Sequence, residues 1–152
     1  MVRDLWERAK REHSTPREIG LSVGLGAFVA CSPFIGFHLG IAALLATVFR
    51  LNRLWAMVGS RLSTTPIFLA TTFAEINAAH YLRTHSWASI TLHTALHQAP
   101  ELLVDWAIGS VIVGSAVAVA VGLTARTLAS RWQQVSSREL APLRRRSSES
   151  PQ

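Results

Sequence analysis

GAFVACSPFIGFHLGIAALLATVFR, residues 26–50, and GSRLSTTPIFLATTFAEINAAHYLR, residues 59–83, are one unit written twice at an offset of 33. Each opens on a glycine, reaches a hydroxyl–proline pair seven positions later, and closes on an arginine, Arg50 or Arg83. The stretches flanking each proline are apolar, the second less so. Two apolar segments broken at their middles are what a membrane protein uses to hold open backbone inside a bilayer.

Length enforces the same reading. Ile19 to Phe49 is 31 residues without a formal charge, His38 apart. One straight helix would be about 46 Å long, too long for a core of about 30 Å. Two full crossings need about 40 residues. Ser32-Pro33-Phe34-Ile35-Gly36 supplies the break: proline removes a donor and disfavours helix at Ser32, and Gly36 permits an unusual turn. Leu54 to Leu82 repeats the design, broken at Ser63-Thr64-Thr65-Pro66. Each unit reads as a re-entrant hairpin or a pair of short tilted helices. The link Arg50-Leu51-Asn52-Arg53 is short and basic.

Outward from this pair, residues 1–14 read as a polar amphipathic helix, with Leu5, Trp6 and Ala9 on one side. Ser14-Thr15-Pro16-Arg17-Glu18 is a helix start: hydroxyl cap, proline in the first turn, then an acid. Residues 86–104 form an amphipathic interfacial helix, with Trp87 and Trp106 as anchors. Trp106 to Ala125 is 20 residues without charge, the one clean transmembrane helix. Gly114, Ala118 and Gly122 form a small-residue face on it, suited to close helix packing. A homo-oligomer is a further expected partner. Residues 126–152 read as a basic, disordered tail. The expected architecture is all-α: a small multi-pass membrane domain over 15–125, with repeat 1 at about 19–50 and repeat 2 at about 54–83.

Charge follows the same plan. Residues 1–18 hold five Lys/Arg and four Asp/Glu, and 126–152 hold six Arg against two Glu. Between them lie only Arg50, Arg53, Arg61, Arg83, Glu75, Glu101 and Asp105. A soluble domain scatters charge over its surface. The pI near 11.2 comes from tails flanking apolar spans, the juxtamembrane pattern, and argues for a lipid bilayer as partner rather than nucleic acid. The six arginines place the C-terminus in the cytoplasm. Cys31 is the only cysteine, so no internal disulfide forms. The apolar run continues past it, against a lipoprotein cleavage box.

Pro16 to Arg83 resembles an uncharacterised bacterial membrane family, domain of unknown function number twenty sixty-two. The resemblance is carried by Ser14-Thr15-Pro16-Arg17, by Gly20, Gly24 and Gly26, by Ser32-Pro33-Phe34-Ile35-Gly36-Phe37-His38, by Phe49-Arg50-Leu51-Asn52 and by Ser63-Thr64-Thr65-Pro66. The family pattern usually has asparagine where Thr65 stands. The resemblance implies a small multi-pass protein of the bacterial inner membrane. Relatives joined to glycosyltransferase domains imply envelope polysaccharide or lipid work, and an envelope glycosyltransferase as partner.

The candidate polar site is His38, Arg61, Ser63, Thr64, Thr65, Thr71 and Glu75, with Ser32, Pro33, Gly36 and Pro66 as the helix breaks. Arg61 and Glu75 are ionisable residues in apolar sequence. Such groups are paired or face water, because each costs about 2.5–3.5 kcal/mol at a helix centre. They flank Pro66 and meet if it is a hairpin apex. Unwound backbone at the two breaks could bind ions or head groups; the alternative is that short hairpins simply need turns. His93, His97 and Glu101 share a spacing that suits a metal, but the same spacing marks a polar interfacial face, and no metal or cofactor is expected. The sequence has no phosphate loop, nucleophile elbow or cysteine pair, so no enzyme is indicated. Two functions remain: a permeation or lipid-handling module with a polar site between two broken-helix repeats, and a non-catalytic membrane scaffold or anchor.

Overall fold

The computed structural model describes residues 14–34, 36–63, 66–88 and 98–148, and among these the regular secondary structure is all helix. Five α-helices follow in order: α1 Pro16–Ala30, α2 His38–Val48, α3 Arg53–Gly59, α4 Ile67–Thr84 and α5 Ala99–Ser148. A 3-10 turn, Ser60–Ser63, extends α3.

Local chemistry sets these boundaries. Thr15 caps α1, its hydroxyl accepting the Glu18 amide at 3.2 Å, with Pro16 in the first turn. Cys31 closes α1 just ahead of Pro33. Gly36 has φ +88, a left-handed conformation that explains a glycine in the turn. α2 ends in a Schellman motif: the Leu51 amide reaches Ala46 O at 2.7 Å and the Arg50 amide reaches Thr47 O at 3.2 Å. Arg50 occupies the left-handed position itself, at φ 54.

α1 is the organising element and packs on α5, α3, the 3-10 turn and α2, whereas α4 packs chiefly on α5. Its glycines point two ways. A Cβ on Gly20 would lie 2.7 Å from Gly122 O, and one on Gly24 would lie 2.8 Å from Ala118 O. Gly114 faces Cys31 and Phe28 one turn further on. Gly20, Gly24 and Phe28 therefore interleave with Gly122, Ala118 and Gly114 in four-residue steps. Gly26 faces the other way, its missing Cβ displaced by Ala56 O, while that of Gly59 is displaced by Val23 O.

Asn52 locks this crossing. Its Oδ1 caps α3 by accepting the Leu54 and Trp55 amides at 3.0 and 3.3 Å. Its Nδ2 donates to Ser14 Oγ at 3.0 Å, and its backbone amide donates to Ser22 Oγ at 3.1 Å. Gln133 Nε2 on α5 donates to Ser14 O at 3.2 Å.

The interior is made of small residues: Ala27, Ala42, Ala46, Ala56 and Ala79 are fully buried. The large ones face out, among them Leu44, Leu69, Phe73, Val111 and Val119. A water-soluble core has the reverse arrangement. The stretch Ala99–Val135 of α5 is long and apolar enough to cross a membrane, with mean hydropathy 2.1 over its best window.

Two element boundaries differ from the sequence reading. α5 begins at Ala99 instead of Trp106 and runs through Ala125 to Ser148, so 126–148 is helical. Arg126, Arg131 and Arg138 lie within it, and arginine has strong helix propensity. Residues 86–88 are not helical and 99–104 belong to α5. Residues 89–97 of the expected interfacial helix, with His93 and His97, lie outside the described residues, as do residues 1–13 of the expected N-terminal helix.

Candidate site around Glu75

Glu75 lies on α4 and is completely buried. Its backbone is pressed against Gly109 of α5, where a side chain would collide with the Glu75 carbonyl. Trp106, one turn earlier on α5, donates its indole Nε1–H to Glu75 Oε2 at 2.8 Å. Glu75 Oε1 has no hydrogen-bond partner, nor has Thr72 Oγ1, three residues earlier on the same helix and likewise buried. Cys31, at the first break, lies close enough to interact electrostatically with the carboxyl. Three segments thus meet at Glu75: the end of α1, the first half of α4, and α5.

A second buried carboxyl, on Asp105, immediately precedes Trp106 on α5. Asp105 is 0 % exposed. Its Oδ2 accepts His80 Nδ1–H at 2.9 Å, and Arg83 Nε sits 3.2 Å from Oδ1, off the angle of a hydrogen bond. This pair ties the C-terminal end of α4 to the start of α5. Burial at Glu75 and Asp105 is affordable only with such partners.

Other expected site residues are placed differently. Arg61 is exposed on the 3-10 turn, and Trp106, rather than Arg61, supplies the bond to Glu75. The expectation that Arg61 and Glu75 meet across Pro66 assumed a symmetric hairpin apex; the 3-10 turn instead leaves Arg61 outward. His38, buried at the start of α2, donates Nε2–H to Ser32 O at 2.9 Å and spans the first break. Ser32 Oγ donates to Val29 O at 2.7 Å, so that hydroxyl serves the end of α1. Thr71 Oγ1 is likewise spent on its own helix, donating to Ile67 O and Phe68 O. Pro66 is exposed at the start of α4. Ser63 belongs to the 3-10 turn, and Thr64 and Thr65 lie outside the described residues. Trp106, expected as an interfacial anchor, points inward at Glu75 and packs edge-on against Phe68, 6.1 Å between ring centroids. Trp87 is exposed and stacks on Tyr81 at 5.3 Å.

The sequence reading gave Asp105 and Thr72 no part in a site, and it placed Trp106 at the interface rather than beside Glu75. The available signal was scarcity: Asp105 is one of three acids between the charged ends. Its partner, 25 residues away, has no marker in spacing. Among the described residues no cluster of His, Cys, Asp and Glu could hold a metal ion.

No curated protein and no solved structure matches the chain. A family model does match, over residues 1–138, which include α1 to α4 and most of α5. The chain belongs to the DUF2062 family, described as an uncharacterized protein conserved in bacteria.

Proposed function

We propose that this chain is a multi-pass protein of the bacterial inner membrane that moves or handles a small polar or amphipathic solute at Glu75. The observation that carries the reading is a fully buried carboxyl, held by the Trp106 indole with the Cys31 thiol beside it, in a helix that presents Leu69 and Phe73 outward. An ionisable group held inside an apolar structure is expensive and is retained where it works on a proton, an ion or a head group. Two further features support it. The contact of Gly26 with Ala56 O is mirrored by that of Gly59 with Val23 O, and each pair is related by the offset of 33. Reciprocal contacts of this kind are the signature of an approximate two-fold axis, as two repeats of a transporter-like unit would have. α1 and α2, of 15 and 11 residues, are about 22 and 16 Å long, short of a full crossing, which favours a re-entrant first unit.

The test is reconstitution into proteoliposomes with reporters of proton flux, monovalent-cation flux and lipid translocation. Wild-type protein should raise one of these rates, and Glu75→Gln, which keeps an acceptor for Trp106, should lower it at least tenfold while remaining folded. No activity from folded wild-type protein with any reporter would overturn the reading.

The scaffold reading has its own observation. Beyond Arg126, α5 carries Leu128, Trp132 and Val135 on one exposed stripe at helical spacing. An exposed apolar stripe of this kind suits a partner such as an envelope glycosyltransferase. Loss of partner crosslinking in Trp132→Ala, with flux unaffected, would favour it.

A further inference from the structure

A groove of about 650 Å³ lies between α1 and α5, away from Glu75. Its floor is the glycine seam of Gly24, Ala118 and Gly122; close backbone approach there leaves the flanking side chains standing as walls. Those walls are apolar: Leu21, Leu25 and Phe28 from α1, and Val119 and Leu123 from α5. One end is different in kind. Arg17 and Arg126 both line the groove, both are exposed, and neither forms an ion pair among the described residues. Glu18, next to Arg17, makes no bond to either. Arg126 sits level with Gly20, since a Cβ there would lie 2.8 Å from Arg126 Cβ. The two guanidinium-bearing residues are thus about one turn apart at one end, and Phe28 lies about 16 Å along the helix from Arg17.

We infer that this groove is a binding site for one anionic phospholipid, with its phosphate between Arg17 and Arg126 and one acyl chain along Leu21, Leu25 and Val119. Charge complementarity selects the occupant. Two unpaired guanidinium groups favour a phosphate without a compensating amine, and their planar donors match its oxygens. An apolar slot beginning at that charge matches a chain attached to the phosphate. The uncharged run of α5 ends at Arg126, so the pair lies where head groups begin. The inference rests on the membrane location proposed above, and it adds a lipid site separate from the Glu75 centre.

The experiment is native mass spectrometry of delipidated full-length protein offered equal amounts of phosphatidylglycerol and phosphatidylcholine. Wild-type protein should retain one lipid with a preference for phosphatidylglycerol on the order of tenfold. Arg17→Gln with Arg126→Gln, two exposed positions, should bring that ratio near one while helicity by circular dichroism is unchanged. Val119→Trp, which fills the slot from an exposed wall, should remove the retained lipid of either kind. An unchanged ratio in the double arginine variant would overturn the inference, as would a dimer in place of lipid that Val119→Trp abolishes. Extraction of membranes at high pH separates the two failures: release into the soluble fraction sinks the membrane reading, whereas a pelleted protein without head-group preference sinks only the lipid site.

Discussion

At the scale of single residues the consequences centre on Glu75, Asp105 and Arg50. Glu75→Ala would strand the Trp106 Nε1–H inside the protein and open a cavity, at a cost of about 1–3 kcal/mol, whereas Glu75→Gln keeps the acceptor and should cost under about 1 kcal/mol. Thermal unfolding in detergent checks this; equal losses in both variants would mean that the carboxylate charge, not the acceptor, holds the helices. Arg61 does not share that site, so Arg61→Met and Glu75→Gln should add within about 0.5 kcal/mol. Arg50→Gly relieves a left-handed backbone that disfavours a side chain, and should stabilise by about 0.5–1 kcal/mol. A loss instead would show that the Arg50 side chain makes contacts worth more than the strain.

The next scale is the helix pair. Gly26→Ala and Gly109→Ala each place a methyl into a neighbouring carbonyl, of Ala56 and Glu75 respectively. Helix backbones must separate, so each should destabilise by about 1–3 kcal/mol or more. Gly40, with open space around its Cβ position, is the control, and Gly40→Ala should be neutral or stabilising. Equal melting temperatures for the three variants would contradict the packing. The elements differ in how far their sequence gives them away. The break at Pro33, the cap at Thr15 and the small-residue face of α5 are local chemistry, visible as residue types in order. The Schellman end of α2 was not, because arginine stands where glycine would announce it. Nor was the Glu75–Trp106 bond, which depends on how α4 docks on α5, with no periodicity to mark the partner. Asn52 shows the same limit: its place in the link was legible, but its bonds to Ser14 and Ser22, 38 and 30 residues earlier, come only from the fold.

For the whole molecule, the distribution of side-chain size is what supports the proposed membrane setting. Alanines fill the interior while Leu44, Val48, Phe73, Val111 and Val119 face out, which water would penalise and lipid would not. The chain should therefore remain with the membrane pellet after extraction at high pH, and release would contradict integral insertion. Extraction alone does not distinguish one anchoring helix from a bundle embedded through its length. The measurement that does so is labelling of the full chain in native membranes with a photoactivated carbene reagent dissolved in the bilayer, followed by peptide mapping. Labelled side chains are expected on three elements, around Leu44 and Val48 of α2, Leu69 and Phe73 of α4, and Val111 and Val119 of α5, with the buried face of α1 spared. Labelling confined to α5 would contradict this, leaving α1 to α4 outside the bilayer and Glu75 without a membrane to act in.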